Sequence, residues 1–194
     1  MTTTFPQLLI KHATERPDAP ALREKEYGIW QTWSWREAAQ SVRHMACGLR
    51  ALGLERGQNL AFISDNRPHV YLGFLAVQSC GAVPIPLYQD AVAAEMMFVM
   101  EDAEIAFAFA ENQEQVDKLL EVRESIPGIR HIIYDDPRGL RKYDQPGLIS
   151  TEELLAKGKA WDAQHPGSYD AMVAAVQPDD VSVILYTSGT TGKP

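Results

Sequence analysis

From Leu60 to Tyr134 the chain alternates between short apolar runs and stretches with helical spacing, and this alternation constrains the fold most. Leu60-Ala61-Phe62-Ile63, Ala82 to Leu87, Glu104 to Ala110 and His131-Ile132-Ile133-Tyr134 read as strands. Between them, 67–80, 91–102 and 112–125 read as helices, the first with Val70, Tyr71, Phe74 and Val77 on its apolar side. Strands and helices alternating at these lengths predict an α/β fold, a mainly parallel βαβ-type sheet flanked by helices with right-handed crossovers. Pro84 and Pro86 cannot donate to a ladder, so their strand is expected to stand at an edge or to end early.

Residues 5–58 have a different character. Phe5, Leu8, Leu9 and His12 are spaced as on a helix that Pro17 ends, with His12 expected at its surface or boundary. Ala21-Leu22-Arg23 and Ile29 to Trp33 read as two short strands around a turn at Tyr27-Gly28. Trp30, Trp33 and Trp35 are expected to cluster and pack the first helix. Ser34 and Glu37 form a capping box for the next helix. Trp35, Ala38, Val42, Met45, Leu49 and Leu52 give that helix one apolar face, Gly53 ends it, and His44 falls off the stripe, solvated.

After Tyr134, two prolines, two glycines and mixed charge make 135–147 a surface excursion. A second capping box, Ser150 with Glu153, opens a helix expected to end near 158–163. Residues 164–180 hold a Pro-Gly turn, a short Ala- and Val-rich segment and Pro178-Asp179-Asp180. The two aspartates read as a turn, and Glu101, Asp102 and Glu104 as solvated carboxylates; no metal site is expected from either group. Arg138, Arg141 and Lys142 form a small basic patch that leaves a peripheral membrane or anion contact open.

A net charge of −8 on 194 residues argues against broad contact with nucleic acid or an anionic surface. Cys47 and Cys80 lack metal-ligand spacing and read as buried thiols in a reducing compartment. No run of membrane-spanning length and no secretory leader is legible, so the cytoplasm is the expected location.

The last nine residues carry the chemistry: Tyr186-Thr187-Ser188-Gly189-Thr190-Thr191-Gly192-Lys193-Pro194. The apolar run Val181-Ser182-Val183-Ile184-Leu185 before them reads as a buried strand. Glycines let the backbone approach an anion and turn its N–H groups inward, hydroxyls add donors, and Lys193 adds a positive charge. The loop suits a polyphosphate. It is not a Walker A loop, because Thr187 stands where the first glycine belongs and Pro194 where the magnesium-binding hydroxyl belongs.

This nine-residue run resembles the phosphate-binding signature of the adenylate-forming superfamily: acyl-CoA ligases, luciferases and the adenylation domains of peptide synthetases. The likeness extends from Trp33 to Tyr88, through Arg56-Gly57-Gln58-Asn59, Ser64-Asp65-Asn66-Arg67 and Gly81 to Tyr88. One departure is Gln58-Asn59, where the family usually has an aspartate. Residues 112–155 are most similar to bacterial long-chain fatty acyl-CoA ligases. The resemblance implies that the chain is the first part of the large N-terminal domain of such an enzyme. It would be an incomplete subdomain, 5–58 of helices and short strands and 59–194 alternating, with a homodimer compatible.

The implied reaction joins ATP and a fatty acid into acyl-AMP, then transfers the acyl group to coenzyme A, with Mg²⁺ assisting. Thr187, Ser188, Gly189, Thr190, Thr191, Gly192 and Lys193 would hold the ATP phosphates. The family's adenine motif, its Mg²⁺-associated glutamate and its mobile lysine lie downstream of that loop, so no catalytic residue is expected within these residues and the chain alone should be inactive. Three alternatives stand beside this reading. They are an aryl-acid or amino-acid adenylating enzyme, a P-loop phosphohydrolase, and a non-catalytic nucleotide-binding module.

Overall fold

Residues 3–187 are described by a computed structural model, and they form two compact units that interleave along the chain. The first takes residues up to 55, then 66–81 and 154–180; the second takes 56–65, 82–153 and the residues from 181.

In the first unit, helix α1 (Phe5–Glu15) buries Pro6 and Leu9. Proline suits the first helical turn, where a missing N–H breaks no bond. Strands β1 (Pro20–Glu26) and β2 (Ile29–Ser34) form an antiparallel hairpin. Its turn residues, Tyr27 at φ 47° and Gly28 at φ 81°, both adopt the left-handed conformation that a tight two-residue hairpin requires. The expected tryptophan cluster is dispersed. Trp35 meets α1, its ring 4.6 Å from His12 and under Arg16 at 5.1 Å, whereas Trp33 stands edge-on to His69 and Trp30 is 56% exposed. Alternation along β2 turns Trp30 and Trp33 to opposite faces.

Helix α2 (Trp35–Ala51) starts at the expected capping box: Ser34 Oγ accepts from the Glu37 amide, and the Ser34 amide donates to Glu37 Oε2 at 2.8 Å. Gly53, at φ 87°, ends it. Its buried surface is wider than one stripe, adding Ala46, Cys47 and Gly48 to Ala38, Val42, Met45 and Leu49. Part of the reason is a second neighbour, α6 (Thr151–Gln164), whose Gly158 lies against the backbone of His44 and Gly48, while the Ala46 carbonyl meets Cys80 Sγ. His44 is therefore half-buried rather than solvated, and burial lowers its pKa.

Helix α3 (Pro68–Ser79) buries Val70, Leu72, Ala76 and Val77, while Tyr71 turns outward and donates to Asn66 Oδ1. Helix α7 (Ser168–Ala175), which takes in the short Ala- and Val-rich segment after the Pro-Gly turn, buries Tyr169 and Val173. Arg43 of α2 holds Asp162 of α6 through two hydrogen bonds, 2.7 and 2.9 Å, and reaches Asp170 of α7 at 3.2 Å.

In the second unit, β3 (Asn59–Ile63), β4 (Val83–Leu87), β5 (Ile105–Ala110), β6 (His131–Tyr134) and β7 (Leu148–Ser150) form one sheet in the order β4-β3-β5-β6-β7. Every neighbouring pair is parallel, and the proline-bearing β4 stands at an edge. Strand β7 was not legible beforehand; three residues after a turn-rich excursion carry too little pattern. Helices α4 (Ala93–Asp102) and α5 (Gln113–Ser125) cover one face with Met96, Met100, Val116, Leu119 and Val122 against Ile63, Ile85, Ala108 and Ile132.

Asn59, at the departure from the family's aspartate, donates its side-chain amide to the Ala103 carbonyl at 2.6 Å. A carboxylate could not make that bond. The excursion 135–147 is indeed a string of turns without a helix or strand. Within it Arg138 folds back on Asp136, bonding both carboxylate oxygens, so the expected basic patch is partly neutralised. A cavity of about 630 Å³ lies there, lined by Tyr134, Arg138, Leu140, Arg141 and Tyr143.

Candidate phosphate-binding site

The approach to the nine-residue run departs from expectation. Residues 181–187 form no strand, and Val181 and Leu185 are 58% and 66% exposed. The edge they follow explains this. The Val83 amide of β4 points inward, to the Gln58 carbonyl. By alternation the amides of residues 84 and 86 would point outward, and both are proline. An edge with carbonyls but no donors cannot complete a ladder. One bond is made, from the Ile184 amide to the Pro84 carbonyl at 3.4 Å.

Two side chains fix the segment instead. Ile184 and Tyr186 pack on the apolar cluster under the sheet, and Tyr186 donates its hydroxyl to Asp102 Oδ2 at 2.6 Å. Burial, then this bond, push the Tyr186 phenol up to about 12. Asp102, expected to be one of three solvated carboxylates, is thus the anchor for the residue preceding the loop. Sequence could not pair positions 102 and 186, because nothing local links them. Thr187 follows, exposed to solvent. Ser188, Gly189, Thr190, Thr191, Gly192 and Lys193 lie outside the described residues.

A second constellation sits where the parallel strands end. The order β4-β3-β5-β6-β7 reverses direction around β3, and in open α/β sheets such a switch point, at the carboxyl ends of the strands, is where ligands bind. Here Glu111, just after β5, accepts from Ser64 Oγ at 3.2 Å and from the Asp65 amide at 2.7 Å, just after β3. Asp65 in turn accepts from Gln89 at 2.7 Å, and Lys118 donates to the Gln89 carbonyl at 2.8 Å. Both carboxylates there accept from neighbouring donors. Two acids at the strand ends repel a phosphate there. Among the described residues no group of three or more His, Cys, Asp or Glu side chains is gathered as a metal site.

A family model described as "AMP-binding enzyme" matches residues 9–194. The chain belongs to the AMP-binding enzyme family. Among its relatives, the long-chain-fatty-acid–CoA ligase FadD15 of Mycobacterium tuberculosis (strain ATCC 25618 / H37Rv) is 28% identical over 187 residues, covering 96% of this chain and 29% of the relative. The long-chain-fatty-acid–CoA ligase ACSBG2 of Xenopus laevis is 28% identical over 193 residues, covering 98% and 25%. The chain therefore spans under a third of the length of these relatives.

Among solved structures, the anthranilate CoA ligase AuaEII in complex with anthranoyl-AMP matches 97% of this chain and 33% of its own, with TM-score 0.79 at 17% identity. The acetoacetyl-CoA synthetase from Streptomyces lividans matches 97% and 29%, with TM-score 0.74 at 23% identity. At such identities the likeness is one of fold: the chain shares the α/β fold of the matched parts of those two proteins.

Proposed function

We propose that this chain is an incomplete N-terminal subdomain of an ATP-dependent long-chain fatty acid–CoA ligase. The observation that carries the reading is Tyr186 to Pro194, a glycine- and hydroxyl-rich run with one lysine, in a chain whose relatives include long-chain ligases. In the proposed first step a fatty carboxylate attacks the α-phosphorus of ATP and pyrophosphate leaves; in the second, the thiol of coenzyme A displaces AMP. Thr187, Ser188, Gly189, Thr190, Thr191, Gly192 and Lys193 hold the β- and γ-phosphates, their charge offset by Lys193, inward N–H groups and Mg²⁺.

The residues of that run fit a triphosphate by their chemistry: four hydroxyls, two glycines and one cation with no carboxylate among them. Their work is positioning, which is most of what such a transfer needs. The 5–58 and 59–194 parts belong, in this reading, to one adenylation domain, and the enzyme works on small molecules in the cytoplasm.

The test is carboxylate-dependent exchange of pyrophosphate into ATP by the full-length gene product, with acetate, benzoate and palmitate in parallel. Exchange with palmitate supports the reading. Exchange with benzoate alone keeps the adenylating chemistry and discards the long-chain substrate, and ATP hydrolysis without exchange discards the chemistry.

A further inference from the structure

The β1–β2 hairpin presents an outward face with an unusual composition for a chain of net charge −8. Its register sets Lys25 opposite Trp30 and Arg23 opposite Thr32, so these four side chains share one face. The other face carries Leu22, Glu24 and Trp33, all half-buried; Glu24 is paired with Arg67 at 2.7 Å and Trp33 is edge-on to His69. That face is turned to the protein, and the face with Arg23, Lys25 and Trp30 is turned to solvent. Arg23 lies 4.8 Å over the Trp30 ring, and the outward face holds no carboxylate. At the tip, Tyr27, Ile29 and Trp30 are 84%, 65% and 56% exposed.

We propose that this hairpin tip enters the headgroup layer of an anionic lipid surface. Large apolar side chains on both sides of the tip suit insertion better than docking on a flat partner. Tryptophan and tyrosine favour the membrane–water boundary, where one part of the ring is apolar and one is wet. A strand rises about 3.4 Å per residue, which puts Lys25 about 7 Å and Arg23 about 14 Å behind Tyr27. With the tip about 5–10 Å deep, Lys25 stands at the level of the lipid phosphates, and Arg23, about 4–9 Å farther out at its backbone, extends over the Trp30 ring toward them. A nucleic acid fits less well: two cations on an acidic chain give little counterion release, and the apolar tip would have nothing to enter. Glu26, exposed and opposite Ile29, opposes the contact. The proposal does not depend on the ligase reading, and its test uses no substrate.

The test is flotation of the 194-residue chain with vesicles of phosphatidylcholine alone and of phosphatidylcholine mixed with phosphatidylglycerol. Binding is expected to require phosphatidylglycerol, to weaken with salt and to fall about fivefold for each of Arg23→Gln and Lys25→Gln. Glu26→Gln should strengthen it and Tyr27→Ser weaken it. A variant that binds but keeps its fold provides a second readout: Trp30→Phe should float like the parent while losing quenching by brominated lipid. No binding to the mixed vesicles, equal binding to both kinds, or no change in the hairpin variants would overturn the proposal. So would self-association of the lipid-free chain that is lost in Trp30→Ser.

Discussion

Tyr186 donates its hydroxyl to Asp102 at 2.6 Å, and the next residue is the first of the seven proposed to hold the triphosphate. The bond ties the start of that loop to the last residue of α4. Tyr186→Phe keeps the ring on the apolar cluster and removes only the bond. Hydrogen exchange at the Ile184 amide is expected to speed up about fivefold, the equivalent of roughly 1 kcal/mol. The phenol's raised pKa gives a second check. A group held neutral by the fold adds stability that is complete below its unfolded pKa of about 10 and is lost as pH rises through the folded value of about 12. Ultraviolet titration should show one late tyrosine fewer in Tyr186→Phe, with buried Tyr169, also pushed up to about 12, still titrating late.

Helices α2 and α6 meet through two glycines. A β-carbon on Gly158 would overlap the carbonyl oxygen of His44 and stand 2.7 Å from the Gly48 amide nitrogen, both backbone atoms that cannot swing away. Gly158→Ala is expected to cost about 3 kcal/mol, read as a lower urea midpoint. Gly128→Ala, where a β-carbon meets nothing within 4 Å, should stay close to the parent.

Arg43 clamps α6 and α7 to α2, and its hydrogen bonds hold the Asp162 carboxyl below the ordinary range. A depressed carboxyl contributes stability that is complete above its unfolded pKa of about 3.9 and is lost as pH falls through the folded value. Arg43→Met should cost about 2 kcal/mol at neutral pH, as half-exposed partners lessen the penalty of a broken buried pair. Below pH about 4 the gap between parent and variant should shrink.

Cys47 and Cys80 are both buried, and burial pushes each thiol up to about 12. So little thiolate exists near neutrality that an aromatic disulfide reagent should label neither in the folded chain. Full labelling after denaturation, at the rate of unfolding, is the expected pattern.

The sheet was legible because β3 and β5 are buried runs, Leu60 to Ile63 and Phe107 to Ala110, of the near-continuous apolar kind that parallel strands carry. The capping boxes at Ser34 and Ser150 were legible because they are local in sequence. What sequence could not yield was pairing at a distance. Tyr186 with Asp102, Arg43 with Asp162 and Gly158 with His44 each join residues more than 80 positions apart. Val181 to Leu185 misled for a related reason: its β-branched run favours a strand, but Pro84 and Pro86 deny it a donor-bearing neighbour. Of the seven proposed phosphate-binding residues only Thr187 lies among the described residues, so the loop's assignment rests on its composition and order.

The central claim is that the run from Thr187 to Lys193 holds the phosphates of ATP while a fatty acid is activated. The direct measurement is palmitate-dependent ATP–pyrophosphate exchange by the full-length gene product and by its Thr190→Ala, Lys193→Ala double variant. Loss of a hydroxyl donor and the loop's one cation is expected to lower exchange by at least about a hundredfold, with the unfolding midpoint unchanged. Exchange that survives the double substitution would contradict the account, because the phosphates would then be held elsewhere.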